Sequence, residues 1–133
     1  MSYPNDTNYS EHFTRAELDC RCGCTTPPAV ATNLQNLAVH LEELRRANGG
    51  PLSIDDAYRC PTRNAAVGGI KDSQHLQGKA ADVAAAGIGV AQLAKLAEEV
   101  PAFLNGGIGT YFDEDFVHVD YRSGQARWTQ GKP

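Results

Sequence analysis

An imidazole and a carboxylate stand seven residues apart in Ser73-Gln74-His75-Leu76-Gln77-Gly78-Lys79-Ala80-Ala81-Asp82, on either side of a glycine turn. Asp82 lies among Ala80, Ala81, Val83 and Ala84, a small apolar run that reads as a buried strand. A buried carboxylate is costly unless it is paired or binds a metal. A divalent metal shared with His75 meets that need. Further along, Asp113-Glu114-Asp115-Phe116-Val117-His118-Val119-Asp120 ends in a strand. Its alternation sends Phe116, His118 and Asp120 to one face and Val117 and Val119 to the other. Two histidines and one aspartate give three protein ligands, the number that leaves a catalytic zinc an open position. Zinc so held lowers the pKa of water towards neutrality and polarises a carbonyl. The chemistry also needs a carboxylate to take the water's proton and pass it to a leaving amine, and Asp115 and Asp120 are both candidates. Arg59, in Ala57-Tyr58-Arg59-Cys60-Pro61, suits an oxyanion or a substrate carboxylate. Each residue alone has a plainer reading: a loop histidine, a turn-capping aspartate, a strand histidine. Together those readings leave the buried carboxylate unexplained.

The elements that position these groups are read from periodicity and punctuation. Residues 1–12 are polar and are expected to form a loose arm. Thr14 with Glu17 three residues on predicts a capped helical turn. Leu34, Leu37, Leu41 and Leu44 recur at helical steps, predicting an amphipathic helix over 29–48 that Gly49-Gly50-Pro51 ends. His40 beside that stripe reads as a partly exposed helix histidine. Leu52 to Tyr58 predicts a short strand and Pro61 to Val67 one or two helical turns before Gly68-Gly69. Ala80 to Ala84 predicts a buried strand, and Val90, Leu93, Leu96, Ala97 and Val100 a second helix closed by Pro101. Residues 106–111 and 116–120 predict two neighbouring strands, with an edge strand around Trp128. Helices and strands mix without regular alternation, so the expected fold class is α+β, an antiparallel sheet packed against helices.

At 133 residues the chain has the length of a single domain, 1–133, and neither repeat nor linker divides it. Hydrophobic residues at 41% and charged residues at 21% fit a globular protein. A net charge of −4 with scattered Lys and Arg speaks against nucleic acid as a partner. No run approaches the ~20 apolar residues of a membrane span, so no membrane insertion is expected. The opening MSYPNDTNYSEHFTRAE has neither a basic nor an apolar segment, so no secretory leader is expected either. The four cysteines, Cys20, Cys22, Cys24 and Cys60, admit three readings: reduced thiols, disulfides involving Cys60, or a second metal site. The spacing Cys-Arg-Cys-Gly-Cys is tighter than the usual Cys-x-x-Cys zinc pairs.

The pattern Ser-x-His-x-x-Gly-x-Ala-x-Asp, followed by a strand histidine, resembles the M15 family of zinc D-alanyl-D-alanine peptidases. The resemblance runs from about Phe13 to Trp128. Tyr-Arg-x-Pro, Asn64-Ala65-Ala66-Val67-Gly68-Gly69 and Phe-Val-His-Val-Asp look most like its compact phage and prophage branch. It implies the fold shared with the hedgehog signalling domain and one zinc ion on His75, Asp82 and His118. It also implies Arg59 as the group that polarises the substrate carbonyl. In several members the catalytic acid stands three residues before the last ligand, here Asp115; others keep the acid two residues after it, here Asp120. Ser73 is implied in substrate binding or in orienting its loop. The implied substrate is a stem peptide or cross-link of bacterial peptidoglycan, cut by a monomer made without a leader that acts at the cell wall, as a phage endolysin does. The rival from another class is a binding module that keeps the metal and the fold without turnover; a purely structural metal protein leaves Arg59 and an open position without purpose.

Overall fold

The computed structural model of the protein describes residues 2–132. Thr14 caps the short α1 (Arg15–Leu18): its hydroxyl accepts from the Glu17 N–H, and the Glu17 carboxylate accepts from the Thr14 N–H in return. α2 (Pro28–Asn48) starts on a proline, which has no N–H to leave unpaired, and stops at Gly49, whose φ of 75° closes the last turn. Leu34, Leu37, Ala38, Leu41 and Leu44 form its buried stripe. β1 (Ser53–Asp56) is shorter than the run 52–58 suggested, and a register break separates Ile54 from Asp56. Ala57 and Tyr58 leave the ladder there, and their backbone groups serve other partners. α3 (Pro61–Ala66) and a single 3-10 turn (Gln74–Gln77) lead into β2 (Ala80–Ala84).

The predicted second helix is two pieces, α4 (Val90–Ala97) and α5 (Pro101–Leu104). Pro101 forces Val100 into extended backbone, φ −96° and ψ 113°, so one helix cannot run through it. β3 (Gly107–Tyr111), β4 (Phe116–Asp120) and β5 (Ala126–Gln130) complete a sheet of order β1-β2-β4-β3-β5. The fold is α+β as expected, and the sheet is mostly antiparallel. The edge strand around Trp128 forms, but it pairs with β3 in parallel. Ala81, Val83, Ile108, Val117 and Val119 join the helix leucines and Phe103 in the core. The alternate residues of β2 and β4 face the other way. That opposite face carries Asp82, His118 and Asp120. No helix among the described residues is long and apolar enough to cross a membrane.

Within the polar arm, the described residues 2–12 are not loose, contrary to what their composition suggests. Tyr9 and Phe13 are buried, and Asn8 bridges Thr14. The Asn5 side chain accepts from the Thr7 and Asn8 N–H groups at 3.0 and 2.8 Å. Glu42, on α2, accepts from the Ser10 hydroxyl at 2.6 Å and the His12 N–H at 2.7 Å, and its other oxygen lies 2.6 Å from the His12 ring. Burial opposes ionisation of Glu42, but these bonds outweigh it and lower its pKa. A lowered carboxyl pKa stabilises the fold above the unfolded value of about 4.3, and that contribution fades as pH falls through the folded value. Glu42→Gln is therefore expected to cost about 1–2 kcal/mol at neutral pH, with the gap to wild type closing in acid. Thermal unfolding of both proteins at neutral and acid pH measures this.

Candidate metal centre and peptide cleft

The ten-residue motif is a compact device for aiming two candidate metal ligands. Ser73 caps the 3-10 turn, its hydroxyl accepting from the His75 N–H at 3.2 Å. Gly78 closes the turn at φ 74°, and a Cβ there would lie 2.9 Å from Val30 of α2, so only glycine fits both the backbone and the packing. The chain then enters β2, where Ala80 and Ala81 are fully buried and Asp82 turns to the open face. Asp82 pairs directly with His118 across the β2–β4 ladder.

The two rings are held by their far nitrogens. His75 Nδ1 lies 2.6 Å from the Ala57 carbonyl oxygen, which can only accept, so Nδ1 carries the proton and Nε2 is left with its lone pair. His118 Nε2 lies 2.7 Å from Asp120 Oδ2. Each ring's other nitrogen turns to Asp82 Oδ1, at 3.3 Å for His75 Nε2 and 3.1 Å for His118 Nδ1. The ligand atoms of these three residues all lie within 4.8 Å of one another. Burial alone would raise the Asp82 pKa, but the two imidazoles hold its carboxyl well below the usual range. Burial alone would lower the His118 pKa, but Asp120 and Asp82 push it up. Zinc with bonds of about 2.0–2.1 Å places tetrahedral ligands roughly 3.3–3.4 Å apart, close to the distances found. Two imidazoles, one carboxylate and this spacing fit such an ion.

The three residues line a cleft of about 850 Å³. Arg59 and Ser73 line it too, and Arg59 Nη2 donates to Ser73 Oγ at 3.4 Å. Arg59 Nε is buried without a hydrogen bond, its nearest acid being Asp56 at 3.8 Å. Trp128 forms a wall. Its ring lies 5.0 Å from that of His118 and its Nε1–H donates to the Tyr111 hydroxyl at 2.9 Å. Gly109 makes room for it, since a Cβ there would fall 2.3 Å from the indole. The sequence of one peptidase family, described as Peptidase M15, matches residues 11–120. The chain belongs to the M15 peptidase family. No curated protein matches it.

This M15 chain does not bring either predicted acid into the cleft. Asp115 adopts φ 62° in the β3–β4 turn and lines a separate cavity of about 110 Å³ with Ala84, Ala85 and Ile88. Asp120 is fully buried beside His118, where it accepts from the Gly107 N–H at 2.9 Å and from Arg122 Nη2 at 2.7 Å. Burial would raise its pKa, but His118 and Arg122 hold it well below the usual range. Both oxygens are occupied, so neither base nor substrate binder describes its position. Besides Asp82, the acids that line the cleft are Asp55, Asp56, Asp72 and Glu114. Burial and the nearby Asp82 charge push Asp55 up. Asp55, Asp56, Asp72, Glu114, Arg122 and Trp128 are among the cleft residues that sequence reasoning missed. Glu114 lies in the β3–β4 turn and Arg122 beyond the end of β4, so the alternation of the strand reaches neither of them.

Proposed function

We propose that the chain hydrolyses peptide bonds in stem peptides or cross-links of bacterial peptidoglycan, using one zinc ion on His75, Asp82 and His118. The observation that carries this is the convergence of those three residues in a cleft sized for a peptide, which Arg59 also lines. Arg59 and Arg122 suit carboxylates, and Asp55, Asp56, Asp72 and Glu114 suit an amine, a mixture that matches the zwitterionic stem peptides of the wall. When bound, zinc polarises the scissile carbonyl and makes water a better nucleophile. Arg59 binds the carbonyl oxygen as charge develops on it, or a neighbouring substrate carboxylate. Glu114 accepts the proton of the attacking water and returns it to the leaving amine. Asp120 fixes the His118 ring, and Trp128 keeps solvent from one side of the ligand set. A monomer released to the wall, as in phage lysis, is the setting we propose for this activity.

Glu114→Gln is expected to lower kcat by about 10²–10⁴-fold. Asp115→Gly is expected to retain activity within about 2-fold and to gain about 0.5–1 kcal/mol, because glycine relieves the left-handed backbone. Hydrolysis rates and thermal unfolding of the two variants check this pair; the reverse ranking of activities returns the base role to Asp115.

The main test incubates the protein with intact sacculi, with and without a chelator, and identifies released fragments by mass spectrometry. Chelator-sensitive release of defined peptides is the expected result and names the bond. The absence of Asp115 and Asp120 from the cleft favours a second reading, a non-catalytic wall-binding or protein-binding module of the same fold. Metal-dependent binding to sacculi without any released peptide replaces the hydrolase by that module.

A further inference from the structure

Cys20, Cys22 and Cys24 follow α1, and Cys60 follows Arg59 at the head of α3, nearly forty residues away in the chain. All four are free thiols, and none of them lines the peptide cleft. Their sulfurs nevertheless meet at one place. Cys20 Sγ lies 3.2 Å from Cys22 Sγ, Cys22 Sγ lies 3.6 Å from Cys60 Sγ, and all four sulfurs lie within 4.8 Å of one another. Thiolates around zinc, with bonds of about 2.3 Å, stand roughly 3.8 Å apart at the corners of a tetrahedron. These two separations fall a little below that value, and no pair of the sulfurs exceeds 4.8 Å.

The backbone is arranged to produce this convergence. Gly23 has a φ of +82°, and its N–H donates to the Cys20 carbonyl at 3.1 Å, so the tight run folds back on itself. The Tyr58 N–H donates to the Leu18 carbonyl at 3.0 Å and brings Cys60 alongside. Two further backbone donors point at sulfur: Cys60 N–H to Cys20 Sγ at 3.4 Å and Arg63 N–H to Cys60 Sγ at 3.5 Å. Donors of this kind favour the anionic thiolate that binds metal and fix its orientation. The spacing within residues 20–24 disfavoured a zinc site read from the sequence; the fourth ligand, supplied from across the fold, reverses that.

We propose that Cys20, Cys22, Cys24 and Cys60 bind a second zinc ion as a closed tetrathiolate site. Four protein ligands leave no position for water or substrate, so the ion is structural. It staples residues 20–24 to the corner that holds Arg59 against the cleft. The site stands on sulfur geometry alone and is independent of the hydrolytic reading.

The test counts metal in protein produced with zinc, reduced, and purified without chelator, by elemental analysis and native mass spectrometry. Wild type is expected to carry two zinc ions, Asp82→Asn one, and the double variant Cys22→Ser/Cys24→Ser one. Cobalt-loaded Asp82→Asn protein is expected to show thiolate-to-cobalt charge-transfer absorption, and its cysteines to resist alkylation until chelator is added. A single zinc that Asp82→Asn removes, with four cysteines alkylated at once, overturns the proposal. So does an intact mass lower by two hydrogens per bond, which marks disulfides. The cobalt spectrum and alkylation of Asp82→Asn protein, whose four cysteines are intact, decide the matter even where the cysteine variant fails to fold. If Asp82→Asn keeps both ions while the cysteine variant loses one, the cysteine site stands and the His75 centre falls.

Discussion

Asp82→Asn is expected to lose tightly bound zinc from the His75 centre and to lower hydrolysis by more than about 10³-fold, the equivalent of several kcal/mol of transition-state stabilisation. The size of the effect follows from the position of the carboxylate. Asp82 Oδ1 is the atom on which His75 Nε2 and His118 Nδ1 both converge, at 3.3 and 3.1 Å. Asparagine preserves the shape and the strand but supplies a neutral oxygen, which cannot offset the charge of a divalent ion. It also removes the anion that both imidazoles face. Because the change is nearly isosteric, far-ultraviolet circular dichroism should match wild type, so lost activity cannot be assigned to unfolding. Metal titration and hydrolysis of sacculi check both halves. Full activity in Asp82→Asn sinks the metal-centre reading outright.

What could be read from the sequence follows the range of the interactions involved. The turn cap of Ser73, the left-handed Gly78 and the strand around Asp82 all lie within ten residues, so their geometry is local and the motif displayed it. His118 came from the period of two in β4, which is local as well. The arm failed for the opposite reason. Its anchors are Tyr9, buried in the core, and Glu42, thirty residues away on a helix face that reads as solvent-exposed. Trp128 was placed on its strand, but its role as a cleft wall depends on Gly109 of a neighbouring strand making room. The base assignment failed at a turn. A left-handed Asp115 lines the small cavity beside Ala84 and Ile88 rather than the cleft, and three consecutive acids offered no local reason to prefer Glu114.

Asp120 separates positioning from catalysis, because the two roles predict opposite signatures. The buried carboxylate joins three parts of the structure: the His118 ring, the Gly107 N–H of β3 and the guanidinium of Arg122. Asp120→Asn leaves Arg122 without its charge partner and gives the His118 Nε2–H a weaker acceptor. Breaking a buried pair of this kind costs about 3–5 kcal/mol where the partner stays buried, and half-exposed Arg122 brings that down to about 2–3 kcal/mol. An apparent Tm lower by roughly 10 °C is the expected result. Zinc affinity is expected to fall by about 10–100-fold, as it does when the group orienting a ligand histidine is changed. With zinc in excess, kcat should return to near the wild-type value. Since the folded pKa of Asp120 lies well below its ordinary value of about 3.9, the stability it contributes is full above that value and is lost only as pH falls through the folded one. The Tm difference between the proteins should therefore persist at neutral pH and close in strong acid. A general base at this position predicts an unchanged Tm, unchanged zinc affinity and a kcat lower by about 10²–10⁴-fold that added zinc does not restore. The hydrogen bonds already made by both carboxylate oxygens favour the first signature, since an acceptor with no lone pair directed at the cleft has no route to the water's proton.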